Sequence, residues 1–177
     1  MIEINNKHFE VYLTSEEIEP LVLNLANRIN EDYKEKDPIL IGILNGSFLF
    51  IADFVRMLNF DPILSFTKLS SYEGTQSTGQ VNELIGLNED LKGRDVLIIE
   101  DIVDTGNTLE KIVQIFKDKE VASLEIMTLL LKSSIYKKDI EVKYYGLDIP
   151  NEFVIGYGLD YDGRGRGLRD IYKAVHP

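Results

Sequence analysis

Val96-Leu97-Ile98-Ile99-Glu100-Asp101-Ile102-Val103-Asp104-Thr105-Gly106-Asn107-Thr108-Leu109 is the stretch whose reading decides the fold. Its first four residues are apolar, mostly β-branched and too few for a helix, so they predict a fully buried strand. Two adjacent carboxylates, Glu100 and Asp101, follow at the strand end, and Asp104 comes three positions later. Thr105-Gly106-Asn107-Thr108 then forms a short polar loop. Beyond it Leu109, Ile112, Val113 and Phe116 repeat at helical spacing, which predicts a helix with one apolar face. In an open α/β sheet, ligands bind at the carboxyl ends of strands.

The loop chemistry is specific. Gly106 reaches backbone angles closed to other residues, which lets successive amides point into one concavity. The helix start adds the positive end of its dipole, and Thr105 and Thr108 add hydroxyl donors. Together these make a phosphate cradle. The G-x-x-x-x-G-K-[ST] pattern is missing, so this is not a nucleoside triphosphate P-loop. An acidic pair suits a ligand that carries hydroxyls and a divalent metal besides its phosphate.

An apolar strand, Glu-Asp, two apolar residues and Asp-Thr-Gly-x-Thr resemble the phosphoribosyl pyrophosphate (PRPP) fingerprint of the type I phosphoribosyltransferases. Type, order and spacing all agree. The resemblance runs from about Tyr12 to Ile171 and is strongest to the hypoxanthine (hypoxanthine-guanine) phosphoribosyltransferases. It implies an α/β fold with a central, mostly parallel sheet flanked by helices. It also implies a single domain over 1–177, with a core of about 12–145 and a small hood from about 1–11 and 146–177.

Composition agrees with one globular domain. The chain has 177 residues, 44% hydrophobic and 28% charged, which is ordinary for a folded protein. The net charge of −11 argues against nucleic acid as a main partner, because phosphate contacts need clustered Lys and Arg. No cysteine is present, so neither disulfides nor a thiol nucleophile enter. The start, Met1-Ile2-Glu3-Ile4-Asn5, lacks a basic region with an apolar stretch behind it. The longest uncharged run, between Asp37 and Asp53, is 15 residues, short of the roughly 20 that span a bilayer. The expectation is a soluble, cytoplasmic protein.

Along the chain, 9–13 reads as a strand and Thr14-x-x-Glu17 as a capping box. The box opens a helix with Ile18, Leu21, Val22, Leu25, Ala26 and Ile29 on one face. Strands are expected at 39–44, 63–69, 122–131, 142–146 and 153–156, with a helix at 48–58. Alternating strands and helices indicate a parallel sheet. Residues 70–80 have no apolar periodicity and read as a long functional loop. The tail from Asp160 is rich in Gly and Arg. Tyr12, Tyr33, Tyr144 and Tyr145 read as packing residues, and His8 and His176 have no cluster around them.

The resemblance also distributes roles. Asp104 is the candidate general base. Residues Asp104 to Thr108 would hold the 5′-phosphate. Glu100 and Asp101 would hold the ribose hydroxyls and Mg²⁺, and Asp160 a second Mg²⁺. Asn45 and Gly46 lie in the loop that would bind pyrophosphate, with Ser71 and Tyr72 of the lid and Arg166 of the tail. Relatives usually carry Lys or Arg where this chain has Asn45, so one cation is missing there. Lys132 would meet the 6-oxo group of a purine, since an ammonium only donates and rejects an amino group. Phe153 would stack on the base and Val154 would offer backbone groups to its edge. The implied substrates are a 6-oxopurine and PRPP, and the implied assembly is a homodimer or homotetramer without nucleic acid or membrane. Two alternatives stay open: a PRPP-sensing regulator, and a relative that uses xanthine or a pyrimidine.

Overall fold

The computed structural model describes residues 1–69, 83–85 and 89–175. Strand β1 (Ile2–Ile4) and strand β2 (Lys7–Leu13) open the chain, followed by helix α1 (Ser15–Asp32). Strand β3 (Ile39–Ile43), helix α2 (Phe48–Val55) and strand β4 (Ile63–Leu69) come next, then β5 (Glu83–Ile85). Strand β6 (Asp95–Val103), helix α3 (Asn107–Lys117) and strand β7 (Ser123–Leu131) carry the fingerprint region. Strands β8 (Tyr144–Asp148), β9 (Val154–Ile155) and β10 (Ile171–Ala174) complete it.

Six strands form one sheet in the order β5-β4-β3-β6-β7-β8. Its five strands β4, β3, β6, β7 and β8 are parallel, and β5 pairs antiparallel at one edge. Parallel sheets are buried on both faces, and β3 is buried at every position. Alternation along β6 divides the core. Leu97 and Ile99 face α1 and α2 in one cluster, with Leu25, Leu40, Phe50 and Phe54. Val96 and Ile98 face α3 in the other, with Ile39, Ile41, Leu109, Ile112 and Phe116. Because the strands are parallel, the loops after β3, β6 and β7 leave at the same end of the sheet. A second sheet, β1-β2-β10-β9, is built from both ends of the chain.

Helix α1 starts as expected. Thr14 N donates to Glu17 Oε2 at 2.9 Å, and Glu17 N donates back to Thr14 Oγ1 at 3.3 Å. Other boundaries differ. Helix α2 stops at Val55, because Met57 N and Leu58 N bond three residues back rather than four. Asn30 of α1 holds the exit, accepting from Asn59 N at 2.7 Å and donating to Met57 O at 3.2 Å. Strand β8 lies two residues later than the 142–146 expected, since Tyr144 registers with Met127 while Val142 packs under α3. Strand β9 is cut to two residues by the positive φ of Gly156. Strands β1 and β10 were not foreseen: β1 folds back on β2 through Asn5 and Asn6, both at positive φ, whereas β10 pairs with β2 across the length of the chain. Tyr33 and Tyr144 are buried core residues, whereas Tyr145 is 44% exposed and packs little.

Candidate active site

Strand β6 does not end at the acidic pair. It continues to Val103, because its parallel pairing with β7 runs on to Val103 opposite Leu131. Glu100 is therefore buried within the strand, next to the Asp101 carboxyl. Burial and the adjacent Asp101 charge push the Glu100 carboxyl well above the usual range. Burial also raises Asp101, to about 6, although the Ile102 amide at 3.0 Å and the Arg166 charge pull the other way. Buried Glu100 and half-buried Asp101, both driven toward their protonated forms, make an all-oxygen donor set that a hard cation would relieve. That fits Mg²⁺, which takes one or two carboxylates and completes its shell with water and substrate oxygens. No group of three or more ligand side chains stands together among the described residues.

Loop 44–47 crosses directly over this pair. A Cβ at Gly46 would lie 1.6 Å from Asp101 Oδ2, so only glycine lets the backbone pass. Asn45 is exposed, and the Leu44–Asn45 peptide is cis. Ser47 is fully buried and spends its hydroxyl on Ile43 O at 2.5 Å.

Past Val103 the chain turns into the phosphate cradle. Gly106 has φ +83° and caps α3 with no side-chain hydrogen bond, which leaves the first amides of the helix unclaimed by any cap. Thr105, Asn107 and Thr108 are exposed around it. Residues 43–44, Gly46 and the whole run from Glu100 to Leu109 line one cavity of about 310 Å³. The acidic pair, the polar loop and the β3 loop thus share one space.

Asp104 and Lys132 meet beside the cavity. Lys132 Nζ donates to Asp104 Oδ2 at 2.8 Å, and Lys132 is 5% exposed. Its backbone amide bonds Val103 O at 2.9 Å, so the two strand ends hold the pair together. Asp104 Oδ1 is buried and has no partner among the described residues. A buried, unsatisfied acceptor costs stability unless a ligand fills it. The pairing was not read from the sequence, because 28 positions separate the two residues and nothing local links them.

The chain end supplies a different constellation. Phe153 is 44% exposed and meets Tyr161 edge-on at 5.7 Å and Phe9 at 6.3 Å. Val154 is buried in β9. Asp160 pairs with Arg166 at 2.6 Å and accepts from Gly163 N at 2.7 Å. Arg166 also donates to Gly158 O at 2.8 Å. Asp160 is thus already satisfied by a guanidinium and an amide, and is not grouped with Glu100 and Asp101. Ser71 and Tyr72 lie outside the described residues.

A central strand carrying two adjacent acids near its end, an uncapped phosphate loop after it and a parallel α/β sheet define a class, the phosphoribosyltransferases. The family model for the phosphoribosyl transferase domain matches residues 9–162, and the chain belongs to that family. Relatives of the chain include hypoxanthine-guanine phosphoribosyltransferases. The one from Staphylococcus aureus is 43% identical over 171 residues, covering 96% of this chain and 92% of that protein. The one from Staphylococcus epidermidis is 45% identical over 164 residues, covering 92% and 88%. The crystal structure of a Bacillus anthracis hypoxanthine-guanine phosphoribosyltransferase superposes with a TM-score of 0.87 at 32% identity, covering 96% of this chain and 99% of that one.

Proposed function

We propose that this protein transfers the 5-phosphoribosyl group of PRPP to N9 of hypoxanthine or guanine, giving the nucleoside monophosphate and pyrophosphate. What carries the reading is the Asp104–Lys132 pair at 2.8 Å beside an uncapped phosphate loop. A 6-oxopurine presents its carbonyl O6 next to N7 on one edge. An ammonium beside a carboxylate complements that edge, with a donor facing O6 and an acceptor facing a protonated N7. Adenine puts a donor against the Lys132 donor.

The steps follow from the residues. The amides at the start of α3 and the hydroxyls of Thr105 and Thr108 hold the 5′-phosphate. Glu100 and Asp101 accept from the ribose hydroxyls and would hold Mg²⁺, which supplies positive charge for the developing negative charge of the diphosphate. Asp104 accepts the N7 proton through Oδ1 as N9 bonds the anomeric carbon, while Oδ2 stays with Lys132. Phe153 stacks on the base and Val154 meets its edge through backbone groups. Asn45, Gly46 and Arg166 face the departing pyrophosphate, with Ser71 and Tyr72 assigned to the lid. Asp160, whose carboxylate Arg166 already holds, stays outside the Mg²⁺ donor set.

The same reading treats 1–177 as one domain with the four-stranded sheet as its hood. It makes the protein a cytoplasmic homodimer or homotetramer that uses neither nucleic acid nor a membrane. No described helix is long and apolar enough to cross a membrane. The test is product formation from PRPP and Mg²⁺ with hypoxanthine, guanine, xanthine, adenine and uracil. Turnover of hypoxanthine or guanine with adenine and uracil inert is expected. If adenine reacts as well as hypoxanthine, the Lys132 argument fails.

A further inference from the structure

The cavity at the end of β6 has a charge problem. Its lining residues include Glu100, Asp101 and Asp104 but no Lys or Arg. Glu110, in the first turn of α3, adds a fourth carboxylate beside the same helix start. A phosphate monoester binding there brings about two more negative charges. Backbone amides and a helix dipole favour one anion, but an acid in the first turn competes for the same dipole.

Lys132 already pairs with Asp104, and Glu110 is answered by a second cation from behind the loop. Lys138 Nζ pairs with Glu110 Oε2 at 2.8 Å, and its side chain is 23% exposed. The stem of Lys138 lies against Gly106: a Cβ built there would fall 2.7 Å from Lys138 Cγ and 2.5 Å from Tyr136 Cε2. Tyr136 is itself anchored, its hydroxyl donating to Ile140 O at 2.6 Å. The segment after β7 thus forms a fixed wall against the loop, with one ammonium on the first turn of α3. Neither residue lines the cavity, so neither touches the ligand directly.

We propose that Lys138 is a positioning residue for the 5′-phosphate: it neutralises Glu110 and braces Gly106, and so sets the affinity of the loop for a phosphate monoester. The inference rests on reading Asp104–Thr108 as the phosphate cradle. An exposed salt bridge alone contributes little. Here the same lysine also supports the one loop residue in a left-handed conformation, and it cancels a charge at the helix end where the anion binds.

The test is calorimetric binding of ribose 5-phosphate at low salt, with steady-state kinetics on PRPP. Lys138→Met keeps the stem and removes the charge. It should weaken ribose 5-phosphate binding and raise KM for PRPP about tenfold, with kcat and KM for the base changed less than about twofold. Lys138→Arg should restore binding. Lys138→Met/Glu110→Gln, with no uncompensated acid, should also recover most of the affinity. A Lys138→Met protein that binds as tightly as wild type overturns the proposal. So does a double variant as weak as Lys138→Met, since the ammonium then does not act by neutralising Glu110. If wild type itself fails to bind ribose 5-phosphate, the cradle reading falls and takes this one with it. Melting curves of all variants separate loss of fold from loss of affinity.

Discussion

Asp104 has one oxygen on Lys132 and one oxygen buried without a partner among the described residues. That asymmetry suits a base whose free oxygen meets a proton and whose other oxygen is held in place. Asp104→Asn keeps the size and removes the basicity, and should lower kcat by about 10²–10³-fold with PRPP affinity nearly unchanged. Single-turnover kinetics with a PRPP titration check this; full turnover in the variant refutes the assignment. Asp101 gives a stability prediction. Its folded pKa, pushed up to about 6, lies above the ordinary aspartate value of 3.8, so the folded state holds a proton that the unfolded chain releases. Stability from this group is then greatest below pH 4 and falls as pH rises through 6. Asp101→Asn should therefore melt higher than wild type at pH 7.5, by roughly 1–3 kcal/mol, and lose that advantage near pH 4. Ligand-free melts at the two pH values measure it. An equal difference at both, or none, contradicts the burial argument.

Between β6 and α3 the chain reverses in a few residues, and Gly106 makes this possible. Its φ of +83° strains any other residue, and Tyr136 and Lys138 fill the space a side chain needs. Gly106→Ala should cost at least about 1 kcal/mol and move the first amides of α3. The expected result is a lower Tm together with weaker PRPP binding. A variant with lower Tm but normal PRPP affinity would show that the loop recovers its geometry. Elements built from local pattern were legible in the sequence: the capping box at Thr14, the buried β3 and the amphipathic α3. Elements held by distant partners were not. Helix α2 ends where Asn30 of another helix takes its backbone groups, and no residue within α2 announces that.

Over the whole molecule, Asp170, just before β10, ties the smaller sheet to α1. Its carboxylate accepts from Ser15 N, the first amide of α1, at 2.8 Å. Asp170→Ala leaves that amide unpaired and should cost about 1–2 kcal/mol, or roughly 2–6 °C in Tm. Because Phe153 and Val154 belong to the smaller sheet's side of the joint, KM for the base should rise more than KM for PRPP. Equal changes in both would show that the sheets move as one. The fold class was readable because a buried strand, a glycine loop and an amphipathic helix are each written in adjacent residues. Periodicity, turn chemistry and charge type suffice for that, and they also bring Glu100, Asp101 and the 104–108 loop together by short spacing. The pairing of Lys132 with Asp104, the passage of Gly46 over Asp101, the bond between Asp160 and Arg166, and the wall of Tyr136 and Lys138 behind Gly106 were decided only in three dimensions. All but the Asp160–Arg166 bond, which spans a single loop, join residues far apart in the chain, and parallel strand register and loop packing, which no local pattern encodes, determine which of them meet.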